Sequence, residues 1–472
     1  MTWAHQTTGL PNPFPWSTTA GPAQAQITRS LIHPIALASF QQQSNTLIYL
    51  PVIVSGSRTF YVSKLGNNSA GTSWATAWNE LDQINWAVIR PGDRILLDGG
   101  ANQMIYKSTL TLNKSGTPGH PITIQVANVA GRNGKVIIFG GRSKPLPYCG
   151  QVHYEFETEN VRNVGVLINA AWLIIDGQKW QGLSIYGHNA WGIRLNPGAG
   201  NITLRNLEIY DNGFATQELD GWYPNSPGLR VAGPNITLER VLIHDNGQDA
   251  IQSSNGNNGL ANFTIRQSWL SNLRQHPSVA ESFNWCTHTD GIQIFDGGSL
   301  SGFLIENTII GPGFTNGVNM GQQLEPSGVN AVTNNVTFRD VLFIKPADNG
   351  IMGHPTTKPK GWLLDHVTAH CPNTKWNCLF LEGSGHTVRN SIIFGARLYL
   401  PDGLAEVSGN CQWQSEGFQL GQIVEFKFVD VDHSDPFSLD DYTLLPHSPC
   451  SGAGSRLTSV AQLLNSPDPQ AP

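Results

Sequence analysis

The chain is poor in charge. Only 13% of its 472 residues are Asp, Glu, Lys or Arg, about half the share of an average soluble domain. Lys and Arg number 28 against 34 Asp and Glu, a net charge of −6. That balance excludes the basic face of a nucleic-acid-binding protein. Six cysteines in a chain of this length are too few for a disulfide scaffold. No apolar run approaches the roughly 20 residues that span a bilayer. The longest, residues 46–54, is broken by Pro51, so membrane insertion is excluded. The opening Met1-Thr2-Trp3-Ala4-His5 has neither the basic start nor the apolar core of an export signal.

What is present is 50 glycines, 29 prolines, 14 tryptophans and many Asn, Ser and Thr. Hydrophobic residues make up 39%, enough for a large core, which argues against wholesale disorder. This composition is shared with secreted polysaccharide-handling proteins, and an extracellular location is expected. Cys371 and Cys378 are close enough to bridge one loop, and Cys411 can reach Cys450; buried thiols are the alternative.

Residues 1–58 are rich in Pro, Gln, Ser and Thr and read as an extended arm or attachment segment. From Thr59 the texture changes. Phe60-Tyr61-Val62 reads as a strand, and Trp74, Trp78, Leu81, Ile84 and Val88 fall on one helical stripe. The spacing predicts a helix over residues 74–88, ended by Pro91-Gly92, that caps an open core.

The remainder is a degenerate repeat. Eight segments share a small or polar start and then alternating apolar positions, beginning at Ala171, Asn201, Asn235, Asn262, Gly302, Asn335, Gly361 and Gly385. Units of roughly 25 residues with insertions are coils of a solenoid. A second ladder, Ile193, Leu229, Ile251, Ile292, Val318, Ile351 and Leu379, implies at least two strands per coil. The fifth position of seven successive units reads Arg205, Glu239, Arg266, Glu306, Arg339, Asp365 and Arg389. Parallel strands about 4.8 Å apart place each charge between two opposite ones, an outward ladder that fixes register.

With these features, residues 59–455 resemble the right-handed parallel β-helix proteins of the pectate-lyase-like superfamily. The Phe60-Tyr61-Val62-Ser63 opening, Pro91-Gly92-Asp93, the coils and the ending Ser448-Pro449-Cys450-Ser451-Gly452 carry the likeness. The resemblance implies an all-β, single-stranded right-handed parallel β-helix over residues 59–455 with a tail at 456–472. It leaves the chemistry open, because lyases, hydrolases, tailspikes and adhesins share the fold.

The second ladder locates a candidate site. The residue after each inward apolar one is expected to face outward: Arg194, Arg230, Gln252, Gln293, Asn319, Met352 and Phe380. Two positions before the apolar residue stand Trp191, Pro227, Asp249, Asp290, Asn316, Asn349 and Asn377. The asparagines there are expected in turns with φ > 0. Asp249 and Asp290 interrupt that run in adjacent coils, where two like charges share a proton or hold a cation. His288-Thr289-Asp290-Gly291 is similar to the Asn-Thr-Asp-Gly of the polygalacturonases, although the two aspartate motifs here stand in reversed order. Three chemistries follow. In a hydrolase, Asp249 and Asp290 act as acid and base or nucleophile, with no cofactor. In a lyase, the two hold Ca²⁺ and Arg230 or His288 removes a proton. In the third, His288 is the general acid or base. Insertions carrying Trp222 and Tyr223, and Arg274, His276, Trp285 and Cys286, are expected to wall the face. Arg194, Gln252, Gln293, Asn319, Trp222, Tyr223 and Trp285 are then the substrate-binding set. Lys358 and Lys360 are reserve bases, and Asp211, Asp245 and Asp348, each before Asn-Gly, read as turn residues. The expected partner is an acidic polysaccharide, cleaved as lyase or hydrolase; the rival is a non-catalytic adhesin or tailspike.

Overall fold

In the computed structural model, residues 56–148, 150–155, 160–218, 221–253, 260–272, 288–294, 300–320, 333–353, 359–372, 374–420, 422–423, 425, 428 and 442–457 are described. The arm before residue 56 and the tail beyond 457 lie outside them. Each coil carries three strands, one more than the sequence made visible. In one representative coil they are Trp191–Leu195, Ile202–Arg205 and Leu207–Tyr210. Trp191–Leu195 belongs to an 11-stranded sheet, the first sheet. The other two strands run in a 22-stranded sheet folded along its length into a second and a third. Every pairing between successive coils is parallel. The result is a right-handed parallel β-helix.

The fold line between second and third sheets is a single residue in the left-handed region. Asn206, Arg240, Gln267, Asn307, Asp340, His366 and Asn390 all have φ between 46° and 59°. One αL residue turns the chain sharply and lets alternation resume, so Leu204 and Leu207 both point inward and are fully buried. The unit starts Asn201, Asn235, Asn262 and Asn335 also lie in this region. There the side-chain amides stack from coil to coil: Asn235 Nδ2 donates to Asn201 Oδ1 at 3.0 Å, and Asn262 Nδ2 to Asn235 Oδ1 at 2.8 Å.

The charge ladder pairs in register, Arg205 beside Glu239, Glu239 beside Arg266, and so on to Asp365 beside Arg389. Arginines reach the acid of the preceding coil: Arg205 to Asp176 at 2.8 Å, Arg266 to Glu239 at 3.1 Å and Arg389 to Asp365 at 3.0 Å. Inside, one column of buried apolar side chains runs from Phe60 to Leu420.

The helix expected over residues 74–88 does not form; the only helical turn there is Leu81–Gln83. Trp78 instead pairs with the first strand, its N–H donating to Tyr61 O and its carbonyl accepting from Ser63 N. Asn85 accepts the N–H of Ala87 on its side chain, and Ser108 Oγ takes the N–H groups of Leu81 and Asp82. Side chains that satisfy the backbone in this way compete with helix. The apolar stripe survives, since Trp78, Leu81 and Ile84 still seal the first coils.

Both expected disulfides, Cys371–Cys378 and Cys411–Cys450, are formed. The second ties a C-terminal strap to the third sheet. Along that strap Tyr442 Oη meets His370 Nδ1 at 3.0 Å, and Arg456 pairs with Asp340.

Candidate functional site

The first sheet presents the second ladder as expected. Successive coils align Arg194 with Arg230, Arg230 with Gln252, Gln252 with Gln293, Gln293 with Asn319, Asn319 with Met352 and Met352 with Phe380. Tyr399 extends the row and stacks on Phe380 with ring centroids 4.9 Å apart.

Strict period-two alternation would send Asp249 and Asp290 inward with Ile251 and Ile292. The strands break that rule at their first residues. Gly291 stands between Asp290 and Ile292, and a Cβ built on it would lie 2.7 Å from Ile310 Cγ2, inside the core. Gly192, Gly228 and Gly317 make the same inward approach. This local kink returns residues three apart to one outer face. Gln252 Nε2 therefore donates to Asp249 Oδ2 at 2.9 Å, and the guanidinium of Arg194 lies over the Trp191 ring at 4.5 Å. Arg230 covers the same ring at 5.5 Å.

Asn316, Asn349 and Asn377 correct a further expectation. They are strand residues outside the positive-φ set, and their amides stack. Asn349 Nδ2 donates to Asn316 Oδ1 at 2.9 Å, and Asn377 Nδ2 to Asn349 Oδ1 at 3.2 Å. Asp290 heads this amide ladder: its Oδ1 accepts the side-chain amide of Asn316 at 2.7 Å and its backbone N–H at 3.2 Å. Asn319 Nδ2 donates to Asp290 Oδ2 at 3.1 Å. Asp249 Oδ1 accepts the backbone N–H of Asp290 at 2.7 Å.

Both carboxyl groups are fully buried. Burial, reinforced by the negative charge of Asp290, pushes the Asp249 carboxyl well above the usual carboxylate range. His288 is the half-exposed member of the cluster, with 48% of its side chain open to solvent. Its Nε2 lies 3.2 Å from Asp290 Oδ1 and 3.1 Å from Asn316 Nδ2. Toward Asp290 Oδ1 the Nε2 must carry the N–H, and toward the Asn316 amide N–H it must accept. The two contacts call for opposite states of Nε2, while Nδ1 has no partner among the described residues. The hydrogen bond to Asp290 raises the imidazole pKa to about 9 against the opposing effect of burial.

The expectation that Asp249 and Asp290 hold Ca²⁺ does not match their donor set. Ca²⁺ takes six to eight oxygen ligands. Here the carboxylate oxygens face N–H groups, two of them main-chain donors that no amide flip can reverse. Arg194, Arg230, Gln252, Gln293 and Asn319 share one face with this cluster. Trp222 and Tyr223 lie on an antiparallel hairpin, Phe214–Glu218 with Gly221–Asn225, inserted where the chain enters the first sheet. Trp285 lies outside the described residues, as do Arg274, His276, Cys286 and Lys358. Lys360 bridges to Asn334 and Ser384 at the start of the second sheet, away from the row. The sequence reading missed the Trp191 platform as a site feature and the role of Asn316. Their shared column with Asp249 and Asp290 was the available signal.

No protein-family model matches the chain. In sequence it is similar to pectate lyase L of Dickeya dadantii (strain 3937), 23% identical over 321 residues, 61% of this chain and 60% of that protein. The chain thus spans about 60% of the length of its curated relative. Among solved structures it is similar to a rhamnogalacturonan lyase (TM-score 0.46, 15% identity, 86% of this chain and 98% of that one). Another is the pectate lyase Pel9A (TM-score 0.44, 14% identity, 85% and 90%). A third is the Dettilon tailspike protein (TM-score 0.44, 12% identity, 76% and 62%). Three parallel strands per coil, αL corners and stacked asparagines make the chain a right-handed parallel β-helix, and part of its sequence is similar to a pectate lyase.

Proposed function

We propose that the chain is a polysaccharide lyase that cleaves a uronate-containing polysaccharide by β-elimination, with His288 as the proton acceptor. The observation that carries this reading is the half-exposed His288 imidazole held through Nε2 by the buried Asp290, on the same face as Arg194 and Arg230. Likeness to a pectate lyase supports the reaction class. With the Nε2–H given to Asp290, Nδ1 is left to take the proton beside the uronate carboxylate. The electron pair released forms the new C4–C5 double bond as the C4–O4 bond breaks, and O4 takes a proton from solvent water while His288 later returns its own to solvent. The amide of Gln293, on the same strand as Asp290, can donate to the reacting carboxylate, while that of Gln252 in the preceding coil is held by Asp249. Arg230 and Arg194 lie two and three coils away, roughly 10 and 14 Å, and bind carboxylates further along the chain.

The disulfides Cys371–Cys378 and Cys411–Cys450 support an extracellular setting, since such bonds persist in oxidising compartments. One observation favours a second reading: burial raises the Asp249 carboxyl, the direction of shift a glycosidase general acid needs. The test is a panel of acidic polysaccharides, followed by reducing ends and ultraviolet absorbance of unsaturated uronate together. New reducing ends with absorbance support elimination. Reducing ends without absorbance transfer the reading to hydrolysis through Asp249, and neither signal transfers it to a non-catalytic binder of the tailspike kind.

A further inference from the structure

Three amides on the first sheet point one way and end on the acid that holds His288. Asn316, Asn349 and Asn377 take the same register position in three successive coils, and Asp290 takes it in the coil before. An ionised carboxylate has no hydrogen to give, so Asn316 must show Asp290 its Nδ2. The contact is 2.7 Å. The Asn316 oxygen is then turned toward the next coil, where Asn349 meets it as a donor at 2.9 Å. Asn377 repeats the step on Asn349 at 3.2 Å. Each amide in such a chain polarises the next, which strengthens the N–H that reaches Asp290. Asn316 and Asn349 are buried, where water does not replace a lost partner.

The oxygen that Asn316 binds, Asp290 Oδ1, is also the one that faces His288 Nε2. Two donors therefore compete for one acceptor. Asn316 Nδ2 itself lies 3.1 Å from Nε2. There its N–H opposes a protonated Nε2 and supports an unprotonated one, so this contact too disfavours the imidazolium. Among the described residues, the charged groups acting on His288 are Asp290, Asp249 and Asp348, and all three favour the imidazolium. The amides work against them. We propose that Asn316, Asn349 and Asn377 are positioning residues: their ladder holds a donor on Asp290 in competition with His288 and so keeps more of the imidazole free to accept a proton near neutral pH. Asn349 and Asn377 stand one and two coils beyond Asn316 and act through it. The inference deepens the lyase reading above, on which its catalytic consequence rests.

The test follows the His288 imidazole of the full chain by NMR without substrate, its signal identified by its loss in His288→Gln. In parallel, kcat/KM is measured against pH on a polymer that the panel above shows to be cleaved. Asn349→Leu should move both midpoints up by about half to one pH unit, the worth of one hydrogen bond. At pH 7 kcat/KM then falls about three- to tenfold, while the alkaline plateau stays within about twofold of the native chain. Asn377→Leu, at a half-buried position one coil further, should move the midpoints the same way by less. Asn235→Gly breaks the amide ladder of the second sheet at a φ that glycine adopts freely, and should leave both midpoints in place. Unmoved midpoints in Asn349→Leu and Asn377→Leu, with or without a lower plateau, overturn this inference and leave the lyase reading standing. A moved NMR midpoint with no cleavage of any polymer upholds the coupling and overturns the lyase reading.

Discussion

Asp249 accepts the backbone N–H of Asp290 through Oδ1 at 2.7 Å, so the two acids that sequence places in adjacent coils are joined through main chain. The carboxyl of Asp249 is fully buried and also takes the Gln252 amide, while Asp290 serves His288 and Asn316. Burial and the charge of Asp290 raise the pKa of one acid, and the other orients an imidazole.

The state of Asp249 has a consequence for stability. Its folded pKa lies above the ordinary value, so its contribution is full at low pH and is lost as pH rises from about 4 toward the folded value. Asp249→Asn removes this dependence. Chemical denaturation from pH 4 to 8 should show the variant gaining on the native chain as pH increases; a constant difference would refute the upward shift of Asp249.

His288 predicts a pH–rate profile. With its pKa at about 9, a proton acceptor is mostly protonated at pH 7, so kcat/KM should rise with pH and level off above about 9. His288→Gln should lower kcat by about 10²–10⁴ and abolish that limb. A profile that falls above pH 9 would instead make His288 a proton donor.

Gly291 tests the kink that turns the acids outward. A Cβ there would stand 2.5 Å from Gly317 O and 2.7 Å from Ile310 Cγ2. Gly291→Ala should cost about 1–3 kcal/mol in unfolding free energy, in the range of overpacked cores. It should also lower activity, because Asp290 is the preceding residue. Unchanged stability would show that the strand start can relax without the kink.

A second pH dependence lies on the third sheet, away from the candidate site. Against the cost of burial, hydrogen bonds from His244, Lys135 and Ser184 hold Glu208 down at about 2. His244, also opposed by burial, is raised to about 9 by Asp245 and Glu208. The Glu208 contribution is complete above about 4.5 and is lost as pH falls toward 2; that of His244 is complete below about 6.5 and is lost as pH rises through 9. His244→Gln should flatten the alkaline side of the stability profile measured by thermal unfolding.

The Cys411–Cys450 bridge should stabilise the C-terminal strap. Replacing both cysteines by serine is expected to cost about 2–4 kcal/mol. The proton contact between Tyr442 and His370 offers an independent readout by NMR, since release of the strap exposes His370.

The sequence by itself determined the solenoid, its outward charge ladder and the row from Arg194 to Phe380. These depend on period-two alternation and on a repeat that recurs every coil, both local properties. The third strand of each coil was hidden because one αL residue such as Asn206 resets the alternation between Arg205 and Leu207. The helix over residues 74–88 failed for a related reason: its stripe was legible, but the pairing of Trp78 with Tyr61 and Ser63 is a tertiary event. The column of Asp249 and Asp290 was also legible. Its chemistry was not, because burial, the hydrogen bond between the two acids and the hold of Asp290 on His288 exist only once neighbouring coils stack. Pattern set which residues line up, and the close approach of backbones between coils decided how each of them is buried and hydrogen-bonded.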